Sequence, residues 1–131
     1  MSTPPRQTVA TVVVRRGPIV GPVLSAVVAM LAARADCPID RLDDALLLAD
    51  AIAAHGPEQG ADGRISIQIT ASSEGLELQV GDLRDGGGAA LLEAASLPGV
   101  GNVLERVADT VEVAEEPDEL RVRLAFAPPV V

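Results

Sequence analysis

The sequence has few of the residue types that carry ring or amine chemistry: among its 131 residues there is no Lys, Trp or Tyr, and Phe126 is the only aromatic residue. Without aromatic rings the chain has no platform on which the bases of a single-stranded nucleic acid could stack, which argues against that class of binding protein. Without Lys it cannot form the Gly-x-x-x-x-Gly-Lys phosphate-binding loop. The length corresponds to one domain, whose core must be built from Ala, Val, Leu and Ile.

The chain also has one cysteine, Cys37, and one histidine, His55. Cys37 therefore cannot form a disulfide within the chain, and the two residues are too few for a structural zinc site. No Gly-x-Ser-x-Gly motif frames a serine, so a hydrolase triad has no support. Because no base-bearing motif surrounds it, Cys37 is interpreted as a small buried or loop residue and not as a nucleophile.

Positive charge is scarce and unevenly placed in a chain whose net charge is −9. Residues 1–35 contain four Arg and no acidic residue, whereas residues 36–131 contain six Arg and all 19 acidic residues and so carry a charge of −13. A surface of this sign opposes a phosphate backbone, because it offers no surplus of cations to displace counterions. We therefore expect no direct binding to nucleic acid.

Residues 15–36 allow two interpretations. Arg15-Arg16 precede 17 uncharged residues, and Ala33-Arg34-Ala35 has the form of a signal-peptide cleavage site. The alternative is a strand, a turn and a buried helix of the domain. Pro18 and Pro22 interrupt the apolar run, which is also just short of a membrane span, and both facts favour the alternative. We accordingly expect a cytoplasmic protein that does not contact a membrane.

Hydrophobic periodicity predicts the elements of one domain over residues 8–127, after a flexible tail at residues 1–7. The predicted strands are 8–15, 65–70, 76–80, 110–114 and 120–127, and the predicted helices are 23–35, 41–55, 89–95 and 102–109. Leu47 and Leu48 widen the apolar stripe of the second helix, so we expect it to be covered on two sides. The element order predicts an α/β two-layer sandwich: a mixed, mostly antiparallel sheet with helices packed on one face.

Two glycine motifs follow the central hairpin: Asp82 to Gly88, and Gly99-Val100-Gly101. In this order of elements the chain resembles the histidine-kinase-like ATPase (GHKL) superfamily, and most closely its anti-sigma-factor serine kinase branch. The resemblance runs from Thr8 to Phe126 and rests more on order than on invariant residues. It implies the histidine-kinase-like ATPase fold, with ATP and Mg as the cofactors.

In that superfamily a helix carries a Glu, an Asn four residues later that ligates magnesium, and often a His near the end of the helix. In the kinase branch the Glu is taken as the general base that activates a substrate serine. Aligning on His55 places Leu47 and Ala51 at these positions, and a shift by one residue places Leu46 and Asp50 there. A leucine cannot accept a proton, and a general base contributes about 10²–10⁴-fold to a rate. We therefore expect little or no kinase activity. Asp50 is either an oxygen ligand for magnesium or a solvated helix residue.

The family's Asp-x-Gly-x-Gly turn receives the adenine amino group on its Asp. Here Asp82 and Gly86 match that turn, but Arg84 stands at the first glycine position. If this position requires close approach to the adenine, the Arg84 side chain narrows the adenine pocket. The alternative interpretation of residues 82–88 is a flexible glycine-rich loop without a ligand. Gly99 and Gly101 match the family's Gly-x-Gly motif, which precedes a helix. The free N–H groups at the start of that helix would favour binding of an anion. The alternative interpretation is a loop-to-helix junction in which the glycines relieve backbone strain.

The resemblance, together with the positions at which this sequence departs from the family's motifs, leaves three candidate functions. The first is a regulator that binds a sigma factor, is released by an antagonist protein, and forms a homodimer as that branch does. The second is an ATP-dependent serine-protein kinase that uses Asp50, Asp82 and the Gly99–Gly101 turn. The third is a domain that keeps only the fold. The acidic run at residues 115–119 is interpreted as a solvated hairpin tip or, alternatively, as a partner contact.

Overall fold

The computed structural model describes residues 7–126 of the chain. The predicted tail, except for Gln7, and the predicted domain end at residue 127 lie outside the described residues. The elements in chain order are β1 (Thr8–Arg15), α1 (Val20–Arg34), α2 (Ile39–His55), β2 (Arg64–Ser72), β3 (Gly75–Gly81), α3 (Gly87–Ala94), β4 (Ser96–Leu97), β5 (Gly101–Asn102), α4 (Val103–Val107), β6 (Thr110–Ala114) and β7 (Glu119–Ala125).

Five strands form the main sheet in the order β1-β2-β3-β7-β6, and β4 pairs with β5 in a separate hairpin. Every pairing in the main sheet is antiparallel, so the expectation of a mixed sheet was wrong. Tight turns join β2 to β3 and β6 to β7, and such turns connect antiparallel neighbours. Residues 7–126 are therefore α/β, with a five-stranded antiparallel sheet and four α-helices.

One face of the sheet is apolar, and the opposite face is polar on β2, β3 and β7. The inward side chains of the three central strands are buried: Ile65, Ile67, Ile69, Ala71, Leu76, Leu78, Val80, Leu120, Val122 and Leu124. The helices pack on this face and add Leu24, Leu48, Ile52, Leu91 and Leu104 to the same core. On the opposite face, Arg121 and Arg123 form ion pairs with Glu77. The helices and the sheet thus make two layers.

α1 begins at Val20, three residues before the predicted start at Val23. Pro22 lies in the first turn, where a helix has no internal partner for its N–H groups, so the proline does not prevent the earlier start. Leu24, Val28 and Leu31 are fully buried in the core. The segment that resembled a signal peptide is thus a folded part of the domain. Within residues 7–126, no helix is long and apolar enough to cross a membrane.

α2 packs against α1 and against α4, so it is covered on two sides as expected. Ala45, Leu48, Ala49 and Ile52 are buried, whereas Leu47 is 49% exposed. Leu47 therefore does not contribute to the apolar contact as expected, and points away from the core. Arg41, in the first turn of α2, donates to Asp44 and to Asp109, and Asp109 in turn accepts from the backbone N–H of Ala125 at 2.7 Å. These contacts tie the start of α2 to the end of β7.

Candidate functional site

Arg84 binds the loop that follows α2. Its Nε and Nη2 atoms donate to Gln59 Oε1 at 3.0 and 2.7 Å, and its backbone N–H donates to the Gln59 carbonyl oxygen at 2.9 Å. Among the described residues, Gln59 is the one polar residue that is buried, with 9% of its surface exposed. Arg84 thus supplies both donors to a side-chain oxygen that has little access to water, and such an oxygen is costly to leave unpaired.

The backbones of these two loops also lie against each other. Gly60 and Leu83 form an antiparallel bridge, and the Ala61 N–H donates to the Asp82 carbonyl oxygen at 2.8 Å. A Cβ atom on Gly87 would lie 2.9 Å from the Gln59 carbonyl oxygen, which is closer than real Cβ contacts come. Gly87 is therefore required because the start of α3 packs directly on the loop. We call this contact between residues 57–61 and 82–87 the loop clasp.

Gly86 and Asp82 are the two predicted adenine-site residues, and both belong to the loop clasp. Gly86 has a φ of 75° and precedes the first residue of α3, so its left-handed conformation starts that helix. Asp82 has a φ of 58°, and its side chain is exposed. The predicted flexible loop at 82–88 was wrong at its end, because Gly87 and Gly88 are buried residues of α3.

The Asp82 side chain lines an open cleft of about 390 Å³ at the end of the sheet. Asp62, Asp118 and Arg64 also line this cleft. None of the three aspartates takes part in an ion pair within residues 7–126. The cleft therefore has a net negative charge, which suits a cationic group better than a phosphate.

Asp50, the predicted magnesium ligand, lies on the exposed side of α2. Its Oδ1 atom accepts a hydrogen bond from the Ser25 hydroxyl of α1 at 3.1 Å. Residues 7–126 contain no group of three or more His, Cys, Asp or Glu side chains that could hold a metal ion. Asp50 thus joins two helices, and it does not line the cleft that contains Asp82.

Gly99 and Gly101 belong to the β4–β5 hairpin, which the sequence did not predict. Their φ values of 77° and 94° make the turn, and Leu97 pairs with Gly101. The helix that follows, α4, has five residues, and the Asn102 side chain already accepts from the Glu105 N–H at 3.1 Å. This capping interaction leaves fewer free N–H groups at the start of α4 to bind an anion.

The predicted site residues belong to three parts of the fold. Asp50 lies between α1 and α2, Asp82 and Gly86 lie in the loop clasp, and Gly99 and Gly101 lie in the hairpin. Arg84 and Gln59 bind each other at the position that the resemblance assigns to the base of the nucleotide.

Gln59 is the residue of this region that the sequence did not single out. The stretch from Gly56 to Gly63 reads as a polar loop, whereas the structure shows two short 3-10 turns, Pro57–Gln59 and Ala61–Gly63, with Pro57 buried as well. The run of polar residues gave no sign that one of them is buried, because its burial depends on Arg84, which is 25 residues away.

Cys37 follows α1 in the short connection to α2. Burial raises the pKa of its thiol, and the nearby Arg41 acts in the opposite direction. The Sγ atom donates to the Pro38 carbonyl oxygen at 3.4 Å. A raised pKa leaves less thiolate at neutral pH, so this arrangement is the reverse of the one that activates a nucleophilic cysteine.

No protein-family model matches this chain, and no curated protein is significantly similar to it.

Proposed function

We propose that this chain is a regulatory protein of the anti-sigma type, which acts by binding other proteins and whose ATP site is weakened or lost. The observation that carries the proposal is the pairing of Arg84 with Gln59. It occupies, with the chain's own side chains, the loop at which the resemblance places adenine. A protein in which this contact replaces the nucleotide would act through protein–protein binding at its surface.

The same proposal sets aside the alternative, an ATP-dependent serine-protein kinase. That reaction needs a base close to the substrate hydroxyl, and the matching positions are Leu46 and Leu47, neither of which can take up a proton. It also needs magnesium, and Asp50 is engaged by Ser25. The observations therefore favour binding over phosphate transfer.

The acidic surface indicates the chemistry of the partner. Exposed carboxylates lie along α2, at Asp40 and Asp43, and around the cleft, at Asp62 and Asp82. A sigma factor presents basic regions to DNA, and a surface of opposite charge would bind such a region and compete with the DNA. Charge complementarity of this kind mainly sets the association rate and the choice of partner. A small antagonist protein would then release the sigma factor.

The direct test is a pull-down from an extract of the native host, in which the full-length chain is the bait and each retained protein is identified by mass spectrometry. We expect a sigma factor to be retained, and more weakly as the salt concentration rises. The double variant Asp62→Asn and Asp82→Asn should retain less of it. Glu74→Gln is the matched control, because Glu74 is an exposed acidic residue at the other end of the β2–β3 hairpin. If no sigma factor is retained at any salt concentration, the proposal is wrong.

A further inference from the structure

The sheet has two edge strands, and only one of them has the features that block pairing with another chain. Within residues 7–126 neither β1 nor β6 pairs with a further strand on its outer side. β6 has five residues, contains Glu112 and is followed by Glu115 and Glu116, and a short, charged edge resists such pairing. β1 has eight residues and, up to Val14, no charge and no proline. Of the two edges, that of β1 is therefore the one open to a further strand.

The apolar side chains of β1 are incompletely covered. Ala10 and Val12 lie on the inner face of the sheet and pack against the core, but both are half-buried, whereas the β2 residues opposite them are fully buried. Val9 and Val13 project from the outer face and are 51% and 59% exposed. A further strand beside β1 would cover part of this apolar surface on both faces, and the burial of apolar surface favours association.

Two arginines lie side by side where β1 ends. Arg15 is the last residue of β1 and lies directly opposite Arg64, the first residue of β2. Each is next to a buried residue of the inner face, so both arginines project from the outer face. Both are exposed, and like charges directly opposite each other destabilise a pair of strands. The pair therefore favours a ligand of negative charge.

Within residues 7–126 no carboxylate lies at ion-pair distance from either arginine of this pair. Arg64 lies beside the acidic cleft, yet none of the aspartates of the cleft pairs with it. The remainder of the chain contains no acidic residue. By contrast, the two other arginines on this face of the sheet both pair with Glu77. A carboxylate of another protein would neutralise Arg15 and Arg64, and the planar guanidinium group is suited to binding one.

We propose that the free edge of β1 binds an extended segment of another protein that carries a carboxylate opposite Arg15. We call this surface, the outer edge of residues 8–15 together with Arg64, the β1 docking edge. The segment adds a strand to the sheet, so that backbone hydrogen bonds supply affinity and side chains supply specificity. The inference goes beyond the proposed regulatory function and does not depend on it, because that function uses the acidic surface to bind a basic region.

The register of β1 defines the sequence that such a segment should have. In an antiparallel pair, a segment whose first residue lies opposite Arg15 places its third residue opposite Val13 and its seventh opposite Val9. The first residue should then be acidic, and the third and seventh apolar. The fourth and sixth residues lie on the inner face and should also be apolar, because they cover Val12 and Ala10. The heptapeptide Glu-Thr-Val-Ile-Thr-Ala-Val meets all of these conditions.

The test is a titration of this heptapeptide, labelled with fluorescein, with the full-length chain, followed by fluorescence polarisation. We expect saturable binding that weakens as the salt concentration rises. The same peptide with Lys in place of Glu should bind at least about tenfold more weakly, because it places a third positive charge beside the two arginines. The peptide with Pro-Pro in place of the central Ile-Thr should not bind, because prolines cannot donate hydrogen bonds to the sheet.

The variant Arg15→Glu should reverse this preference for a carboxylate. It should bind the Glu peptide at least about tenfold more weakly than the wild type does, and the Lys peptide more tightly. Arg123→Gln is the control: it removes a positive charge from the same face of the sheet, but on β7, and should leave both affinities unchanged. Arg15→Glu should also raise the melting temperature by about 1–4 °C, since it replaces a like-charged pair of residues with an oppositely charged pair.

Three results with the wild-type chain would each overturn the proposal: no saturable binding, equal binding of the Glu and Lys peptides, and undiminished binding of the Pro-Pro peptide. None of these results depends on whether Arg15→Glu folds. A dimer in sedimentation equilibrium that excludes the peptide would also overturn it, because a second copy of the chain would then occupy the β1 docking edge. A failure of the proposed regulatory function in the pull-down would leave all of these measurements unaffected.

Discussion

Arg84 and Gln59 join the two loops of the loop clasp through their side chains. In the resemblance, position 84 is a glycine that allows close approach to an adenine ring, and here its guanidinium donates twice to a buried amide oxygen. Removal of the donor leaves that oxygen buried and unpaired, which costs about 1–3 kcal/mol. Arg84→Ala should therefore lower the free energy of unfolding by that amount, measured by urea denaturation.

Arg64→Ala is the control for this measurement. Arg64 is exposed and takes part in no ion pair within the described residues, so its loss should change the free energy of unfolding by less than about 0.5 kcal/mol. Equal effects of the two substitutions would show that the contact between Arg84 and Gln59 contributes nothing to stability, and that the loop clasp is held by its backbone alone.

The Cys37 thiol should make the folded state less stable as the pH rises into the alkaline range. Burial raises the pKa of its thiol above the ordinary value of 9.0, so the folded chain holds this proton more tightly than the unfolded chain does. The resulting stabilisation is fully present below pH 9.0 and is lost as the pH rises through the pKa of the folded state. Iodoacetamide should thus alkylate Cys37 more slowly in the native chain at pH 8 than in urea. Equal rates in the two states would contradict the raised pKa.

At the scale of elements, Asn102 holds the β4–β5 hairpin against two helices. Its side chain accepts from the Glu105 N–H at the start of α4 and donates to the Leu92 carbonyl oxygen of α3 at 2.6 Å. Loss of a capping residue typically costs about 1 kcal/mol, and loss of the second hydrogen bond adds to this. We expect Asn102→Ala to destabilise the chain by about 1–2 kcal/mol in thermal denaturation.

Val100→Ala is the matched control for Asn102→Ala, since Val100 is an exposed residue at the turn of the same hairpin. It should leave the melting temperature nearly unchanged. A similar loss of stability in both variants would mean that the hairpin responds to any substitution, and that Asn102 has no special role as the cap of α4.

The strands were predicted better than the helix ends. The bounds of β1 and β6 were correct, and those of β2, β3 and β7 were correct to within two residues, because alternation has a period of two and one face of the sheet is buried. The starts of α1 and α3 were placed too late: the first helix was expected to begin just after Pro22, and the glycine-rich loop was expected to continue to Gly88. Both residues are tolerated in a first turn, and the sequence does not show whether tertiary contacts will hold them there.

At the scale of the whole molecule, the architecture could be predicted from the sequence and the contacts of the candidate site could not. The order of elements indicated a sheet with helices on one face, and the structure has that arrangement. The resemblance assigned Asp50, Asp82 and Gly99 to one nucleotide site, and this assignment stays a prediction. The contacts around Asp82 and Gly99 include the pairing of Arg84 with Gln59 and the β4–β5 hairpin, which leave no periodic signal in the sequence.

Under the proposed function, the chain's own side chains take the place of a nucleotide. Isothermal titration calorimetry of Mg-ATP and of ADP into the wild-type chain tests this proposal most directly. We predict no detectable binding for the wild type and for Asp82→Asn, because Arg84 and Gln59 bind each other in the loop to which the resemblance assigns the adenine. Binding at about micromolar affinity that is weakened by Asp82→Asn would contradict the account, and would favour a nucleotide-dependent kinase.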